Sequence, residues 1–450
     1  MAELGQAVLS LVTSLINGLP QAPAAHFPNT PTQSEPAPEN PTPLPALLDT
    51  IAQAAQQGVN TAAPGYLAYI PGGGLYAAAL ADFLATALNR YVTVWNLAPA
   101  LAHMENSAIR WLCDLFDYPG TARGILTSGG SLANFSAIVT ARRTLLPPDF
   151  LNGTIYVTAQ THVSSAKAAM LAGFPQSSIR VVPTTNDLRM NPAALSHMIT
   201  TDRSAGLTPF LVVASAGTTN TGAVDPLTDL AHIAQAEGLW FHVDAAYGGP
   251  FYLTQRGKNL FTGISTADSI TLDPHKALFL PYGTGALLVR EGHLLRDAHH
   301  LGADYLQDLD AEDAIPNFSE YSPELTRDFR GLRLWLPLKL HGLQPFRDAL
   351  NEKLDLAAYA HHELEAAGFD LPWKPELSIV TFRWIPANAS PTTTDAYNAD
   401  LLDRVNASGR VFLSSTRVNG HYMLRLAIVS HRTHRDRIDE ALTILKRATH

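Results

Sequence analysis

The chain has 450 residues, 46% of them hydrophobic and 16% charged, with a formal net charge of −9. That is enough apolar material for a large core spread over two or three domains. The acidic balance, without any Lys/Arg block, argues against nucleic acid as a partner, and the single cysteine excludes an intramolecular disulfide or a cysteine metal cluster.

The N-terminus has Glu3 and no basic residue before its apolar stretch, which argues against a signal peptide. Leu4, Val8, Leu11, Val12, Leu15 and Ile16 recur at helical spacing, so an amphipathic helix is expected that needs another surface to cover its stripe. No segment is expected to span a bilayer. Residues 20–45 hold nine of the 31 prolines and read as a linker. Helical runs follow around residues 47–54 and 77–87. Cys113 sits in Ile109-Arg110-Trp111-Leu112-Cys113-Asp114 and reads as a core residue of a protein in a reducing, cytoplasmic setting.

The middle of the chain alternates short apolar strands with helices. Strands are expected at 124–126, 154–157, 209–214, 239–243 and 269–272, with helices at 131–143 and 165–172. This predicts a mainly parallel sheet covered on both faces. The polar residues singled out below then fall at strand ends, where open α/β sheets place ligands. From about 345 a helix (350–367), half-exposed strands (377–384, 410–413, 421–428) and a last helix (434–446) suggest a small α+β domain. The expected division is 1–75, 76–344 and 345–450.

Thr127-Ser128-Gly129-Gly130-Ser131 joins a strand to a helix start, where N–H groups and the helix dipole favour an anion. An ordinary serine-capped helix has the same look. His162 closes the next strand and can stack on a flat ring or merely cap a helix. Asp244 ends the run Phe241-His242-Val243, where a buried carboxylate needs a partner. A pyridinium N–H is one such partner, a structural ion pair another, and Ala246 leaves room for a flat ring. Lys276, in Asp273-Pro274-His275-Lys276, has apolar followers that would lower its basicity and favour a nucleophilic amine. A lysine that forms an imine and an aspartate that keeps a ring nitrogen protonated are the two groups pyridoxal phosphate (PLP) requires. The adjacent pairs His299-His300 and His361-His362 point different ways along a helix, so no metal is expected. No nucleophile elbow or Walker loop occurs.

In order and wording these strings resemble the group II PLP-dependent decarboxylases, the family of the aromatic-L-amino-acid and glutamate decarboxylases, from about Pro64 to Arg425. The resemblance implies the type I PLP fold, α/β with a mainly parallel central sheet, as a homodimer with shared active sites and intertwined N-terminal helices. It implies an L-amino acid as substrate, with no membrane partner, and decarboxylation to the amine through a Lys276 Schiff base. Gly130, Ser131 and His275 would hold the phosphate, and His162 would stack on the ring and touch the substrate carboxylate. Asp244 would bind the ring nitrogen, with Ala246 beneath it and Thr219 near the phenolic oxygen. Tyr305 looks like the mobile-loop tyrosine that returns a proton to the substrate carbon. Tyr69, Ile70, Pro71, Tyr91, Thr93 and Trp95 match positions lining the substrate pocket, partly from the other subunit. The aromatic positions suit an aromatic or apolar side chain. An acidic substrate stays open, with Arg425 either pairing a second carboxylate or serving the structure. Ala277 and Thr284 depart from the family pattern and leave the substrate undetermined. Oxidative deamination to an aldehyde, aldol cleavage, transamination and a silent PLP-fold binding module remain as alternatives.

Overall fold

The computed structural model describes residues 2–27, 36–301 and 316–449. They form two compact units, one of Met1–Gly73, Asp355–Lys374 and Ser378–His450, the other of Gly74–Leu354 and Pro375–Leu377. The N-terminal segment and most of the C-terminal residues, kept apart in the sequence reading, thus share one unit.

That unit begins with α1 (Ala2–Gly18), β1 (Ala25–His26), α2 (Leu44–Ala55) and β2 (Gly58–Val59). β1 pairs antiparallel with β2, so the start of the proline-rich stretch is ordered. Helix α1 buries none of its residues. With the turn that follows, Ala2–Gln21 is long and apolar enough to cross a membrane by length and composition. This corrects the expectation that no segment is: Glu3 alone carries charge in these 20 residues, and a mainly apolar helix passes as a candidate span despite its amphipathic spacing.

The second unit contains α3 (Tyr76–Leu88), α4 (Pro99–Leu115), β3 (Arg123–Thr127), α5 (Gly130–Leu145), β4 (Gly153–Thr158) and α6 (Val163–Leu171). Then come β5 (Ile179–Val182), α7 (Pro192–Ser204), β6 (Thr208–Ser215), α8 (Leu227–Glu237), β7 (Trp240–Asp244), α9 (Gln255–Leu260), β8 (Ser269–Leu272), β9 (Gly285–Val289), α10 (Gly292–His299) and α11 (Gly331–His341). Helix α12 (Gln344–Ala366) leads back into the first unit. The seven strands are ordered β3-β9-β8-β7-β6-β4-β5. β9 runs against both neighbours and all other pairs are parallel. Helices cover both faces, so β4, β7, β8 and β9 are buried at every position. Strands dry on both sides favour largely apolar, β-branched and aromatic residues, and the few polar ones here, such as Ser269 and His242, are hydrogen-bonded. The edge strand β5 keeps Arg180 half-exposed, a charge that discourages further pairing. β3, β4, β6, β7 and β8 all point one way, and their C-terminal ends bring the loops of the site together.

The first unit closes with β10 (Ile379–Phe382), α13 (Pro391–Ala407), β11 (Ser414–Val418), β12 (His421–Ala427) and α14 (Arg435–Ala448). Its antiparallel sheet, ordered β10-β12-β11, packs Phe382, Leu424 and Leu426 with Leu401, Ile438 and Leu442. The strand expected at 410–413 begins instead at Ser414. Asn406 takes both backbone groups of Leu413, accepting its N–H at 2.8 Å and donating to its carbonyl at 3.2 Å, which removes that residue from a ladder.

Candidate active site

One cavity of about 380 Å³ opens at the C-terminal ends of the parallel strands. Ser128, Gly129, Gly130, Ser131, His162, Thr219, Asp244, Ala246, His275 and Lys276 all line it, and so do Asn134, Ser164, Ser215, Thr218 and Asp273. Residues separated by up to 148 positions in the chain are therefore assembled within one unit.

At the β3–α5 turn, the first N–H groups of α5 lack acceptors within the helix and give the cavity a positive end. The turn passes close to its surroundings. A Cβ on Gly130 would lie 2.9 Å from Asp273 Oδ2, and one on Gly285 would lie 2.6 Å from the Gly129 backbone. His275 stands over the same turn, since a Cβ on Gly129 would lie 3.3 Å from its Cε1. The His275 Nδ1 accepts from the Thr284 N–H at 3.2 Å, and Nε2 lies 3.8 Å from Asp273 Oδ2. Burial first, and Lys276 as well, hold the His275 imidazole below its ordinary range.

Asp244 ends β7 with both carboxylate oxygens engaged. Oδ1 accepts from the Ala246 N–H at 3.1 Å and Oδ2 from Asn134 Nδ2 at 2.9 Å. His162 caps α6, its Nδ1 meeting the Ser164 hydroxyl at 2.8 Å. Its basicity is lowered by burial, with Lys276 adding to the effect against the pull of Asp244 and Asp273. Thr219 stands in the β6 loop, behind Gly217, whose φ of +100° suits glycine.

Lys276 is half-buried, and its Nζ lies 2.9 Å from Asp273 Oδ2. The expectation of a lowered basicity is corrected. Burial pushes the ammonium down, but Asp273 and Asp244 outweigh it and the net shift is upward. Asp273, quoted in the sequence motif without a role, has its other oxygen buried and without a hydrogen-bond partner. Asn134 and Ser164 were missed too. Ser164 stands two residues after His162 in the same strand-end string, and Asn134 is a polar residue one turn into the helix that starts at the glycine turn.

The remaining expected residues lie elsewhere or outside the described residues. Tyr305 falls in the latter group. Tyr69, in the first unit, stands at φ +51°, its N–H bound to Ser414 Oγ at 3.0 Å and its carbonyl to Arg425 Nη2 at 3.2 Å. Ile70 and Pro71 are buried beside it in sequence. Arg425 is buried and also donates to Ser414 Oγ at 2.8 Å, so it braces the Tyr69 segment. Tyr91 donates to the Leu325 carbonyl at 2.9 Å, Thr93 is buried, and the Trp95 N–H binds Asn317 Oδ1 at 2.9 Å. These last three do not line the cavity within one chain. Ala277 and Thr284 are both fully buried, and Thr284 Oγ1 accepts from Arg333 at 3.3 Å.

The donor set fits PLP. The glycine turn and helix start line the cavity and offer N–H groups to a phosphate. Asp244 offers an acceptor to a ring N–H, and Lys276 a primary amine to an aldehyde. Among the described residues no group of three or more His, Cys, Asp or Glu could hold a metal ion.

Comparison with known proteins agrees. The aromatic-L-amino-acid decarboxylase of Bacillus atrophaeus is 37% identical over 373 residues, 82% of this chain and 78% of its own length. The phenylacetaldehyde synthase of Arabidopsis thaliana is 28% identical over 425 residues, 91% of this chain and 87% of its own. The crystal structure of Oryza sativa TDC with PLP and tryptamine superposes with a TM-score of 0.93 at 26% identity, covering 100% of this chain and 97% of that one. The pyridoxal-dependent decarboxylase conserved domain matches residues 28–385, and the chain belongs to that family of PLP-dependent enzymes.

Proposed function

We propose that the chain decarboxylates an aromatic or apolar L-amino acid to its amine. The observation that carries this reading is the convergence of Lys276 and Asp244 on one cavity beside the glycine turn. Its substrate class is supported by the similarity to the aromatic-L-amino-acid decarboxylase. PLP, when bound, supplies a sink for the electrons that departing CO2 leaves behind. Asp244, held by two donors, would offer its carboxylate to the ring N–H. The helix start and His275 would hold the phosphate end, and His162 and Ala246 would hold the ring. Lys276 must shed a proton before its nitrogen can act, and its ion pair with Asp273 Oδ2 at 2.9 Å, which favours the ammonium, has to be broken for that. Orientation of the scissile bond by such a rigid frame supplies on the order of 7–11 kcal/mol of the barrier reduction. Tyr305 is assigned the return of a proton to the substrate carbon. Two copies would share their sites, with α1, whose Leu4, Val8 and Leu9 are exposed, covered by the partner copy. A cytoplasmic setting is part of the proposal, supported by a sole cysteine that is buried and unpaired.

A second reading is favoured by one relative, the phenylacetaldehyde synthase. Here the product is the aldehyde, formed with oxygen and water consumed and with CO2, ammonia and hydrogen peroxide released. Both readings are tested by supplying tryptophan, tyrosine, phenylalanine and glutamate and measuring CO2 and product mass. Amine and CO2 from an aromatic substrate support the first reading. Aldehyde with peroxide supports the second, and turnover of glutamate alone overturns the substrate class. Lys276→Ala should lose both turnover and the cofactor's visible absorption band; an unchanged band would remove Lys276 from its role.

A further inference from the structure

Asp244 is one end of a longer run of buried hydrogen bonds whose proton directions are forced. A carboxylate only accepts, so Asn134 must turn its amide nitrogen toward it, at 2.9 Å. The second proton of the same nitrogen goes to Ser164 Oγ, also at 2.9 Å. The amide oxygen then faces His242 Nε2 at 3.1 Å, so His242 carries its ring proton on that atom. His242 Nδ1 is left to accept from Ser269 Oγ at 2.7 Å, and Ser269 accepts from Trp240 Nε1 at 2.8 Å. On the other branch, Ser164 has received a proton from Asn134 and directs its own to His162 Nδ1 at 2.8 Å. The Ser164 backbone N–H points at the same atom at 3.3 Å. With two donors aimed at Nδ1, His162 keeps its ring proton on Nε2.

We propose that Asn134 is a positioning residue that joins Asp244 and His162 into one hydrogen-bonded unit, holding the first as an acceptor-only anion and the second as its neutral Nε2–H tautomer. Asn134 is 1% exposed, so no water competes for these bonds. Both amide protons and the amide oxygen are engaged, and turning the amide over would set its oxygen against the Asp244 carboxylate. The arrangement matters because His162 faces two carboxylates, Asp244 and Asp273, and one ammonium, Lys276. The carboxylates favour a proton on the imidazole. Occupation of Nδ1 by two donors, together with burial and Lys276, opposes it. A neutral imidazole against the ring leaves Asp244 as the group that sets the charge of the ring nitrogen. The placement of the ring between them rests on the proposed function, but the proton directions do not.

The test uses the full-length chain carrying histidine labelled with carbon-13 at Cε1, loaded with PLP and again after its removal. Proton–carbon spectra are followed from acid to mild alkali, with His162 and His242 assigned by single substitutions. Neither turnover nor a particular substrate enters, so this test and the test of the proposed function fail separately. The wild-type His162 midpoint should lie below the ordinary 6.5 or so of free imidazole. Asn134→Ala and Ser164→Ala should each raise it by roughly half a unit or more, since either frees Nδ1 to take a proton. The double variant should move it no further than Asn134→Ala alone. The His242 resonance should shift in Asn134→Ala and stay in place in Ser164→Ala. A His162 midpoint unmoved by both variants, or shifts that simply add, overturns the proposal. If Asn134→Ala does not fold, Ser164→Ala decides the matter: a raised midpoint supports the joined unit and an unmoved one overturns it.

Discussion

At the scale of single residues, two titratable groups in and beside the site are shifted in opposite directions. Lys276 is kept charged by Asp273 and Asp244 although burial favours the neutral amine. His242 goes the other way. Buried among neutral partners, it is pushed down to about 4, against the opposing pull of Asp244. The unfolded chain binds a proton at this residue below about pH 6.5, while the folded chain resists until about 4. Folding stability should therefore drop as pH falls through that window, and the drop should be complete near the lower limit. Urea unfolding measured at several pH values between 6.5 and 4.5 checks this. His242→Gln should show a shallower decline than wild type, though not a flat one, because His162, His275, His299 and His361 are also lowered. Equal slopes would mean that His242 is charged in the folded state.

At the scale of elements, the glycine turn between β3 and α5 works because the β8–β9 connection leans directly on it. A methyl group on Gly285 would meet the Gly129 backbone at 2.6 Å and Asp273 Oδ1 at 2.7 Å. Backbone cannot yield as a flexible side chain does, so Gly285→Ala should cost about 1–3 kcal/mol and displace the turn. PLP occupancy, read from the ratio of visible to ultraviolet absorbance, should fall more than fold stability does. Occupancy equal to wild type would show that the turn tolerates the displacement. The same elements mark what could be read in advance. β4, β6, β7 and β8 were legible because strands buried on both faces are built on short runs of β-branched and aromatic residues. β9 was not: no strand was expected at 285–289, and its reversed direction was equally hidden, since a short apolar run looks alike in either orientation. Asn134 was illegible for another reason. Its partners Ser164, His242 and Asp244 stand 30, 108 and 110 residues away, and nothing local in a helix announces a bond across such distances.

At the scale of the whole molecule, α1 is the unresolved partner in a physical sense: an apolar helix with no buried residue. Pairing with a second copy and insertion at a lipid surface would both relieve it. Removing residues 2–21 should convert a dimer to a monomer in sedimentation velocity, with no change in vesicle flotation. A truncated chain that stays dimeric would discard the pairing assigned to α1, and full-length chain that floats with vesicles would assign the helix to lipid. The unit that carries the cavity has a different kind of economy. Lys276 rides on the link between two neighbouring strands, Leu272 and Ala286 being paired across it. Its reach is thus metered from both ends. One extra residue between Leu272 and Lys276 would feed up to ~3.5 Å of slack into the tether, more than the whole gap from Nζ to Asp273. Along this short span the number of residues is held as strictly as the Asp273 and His275 side chains it carries.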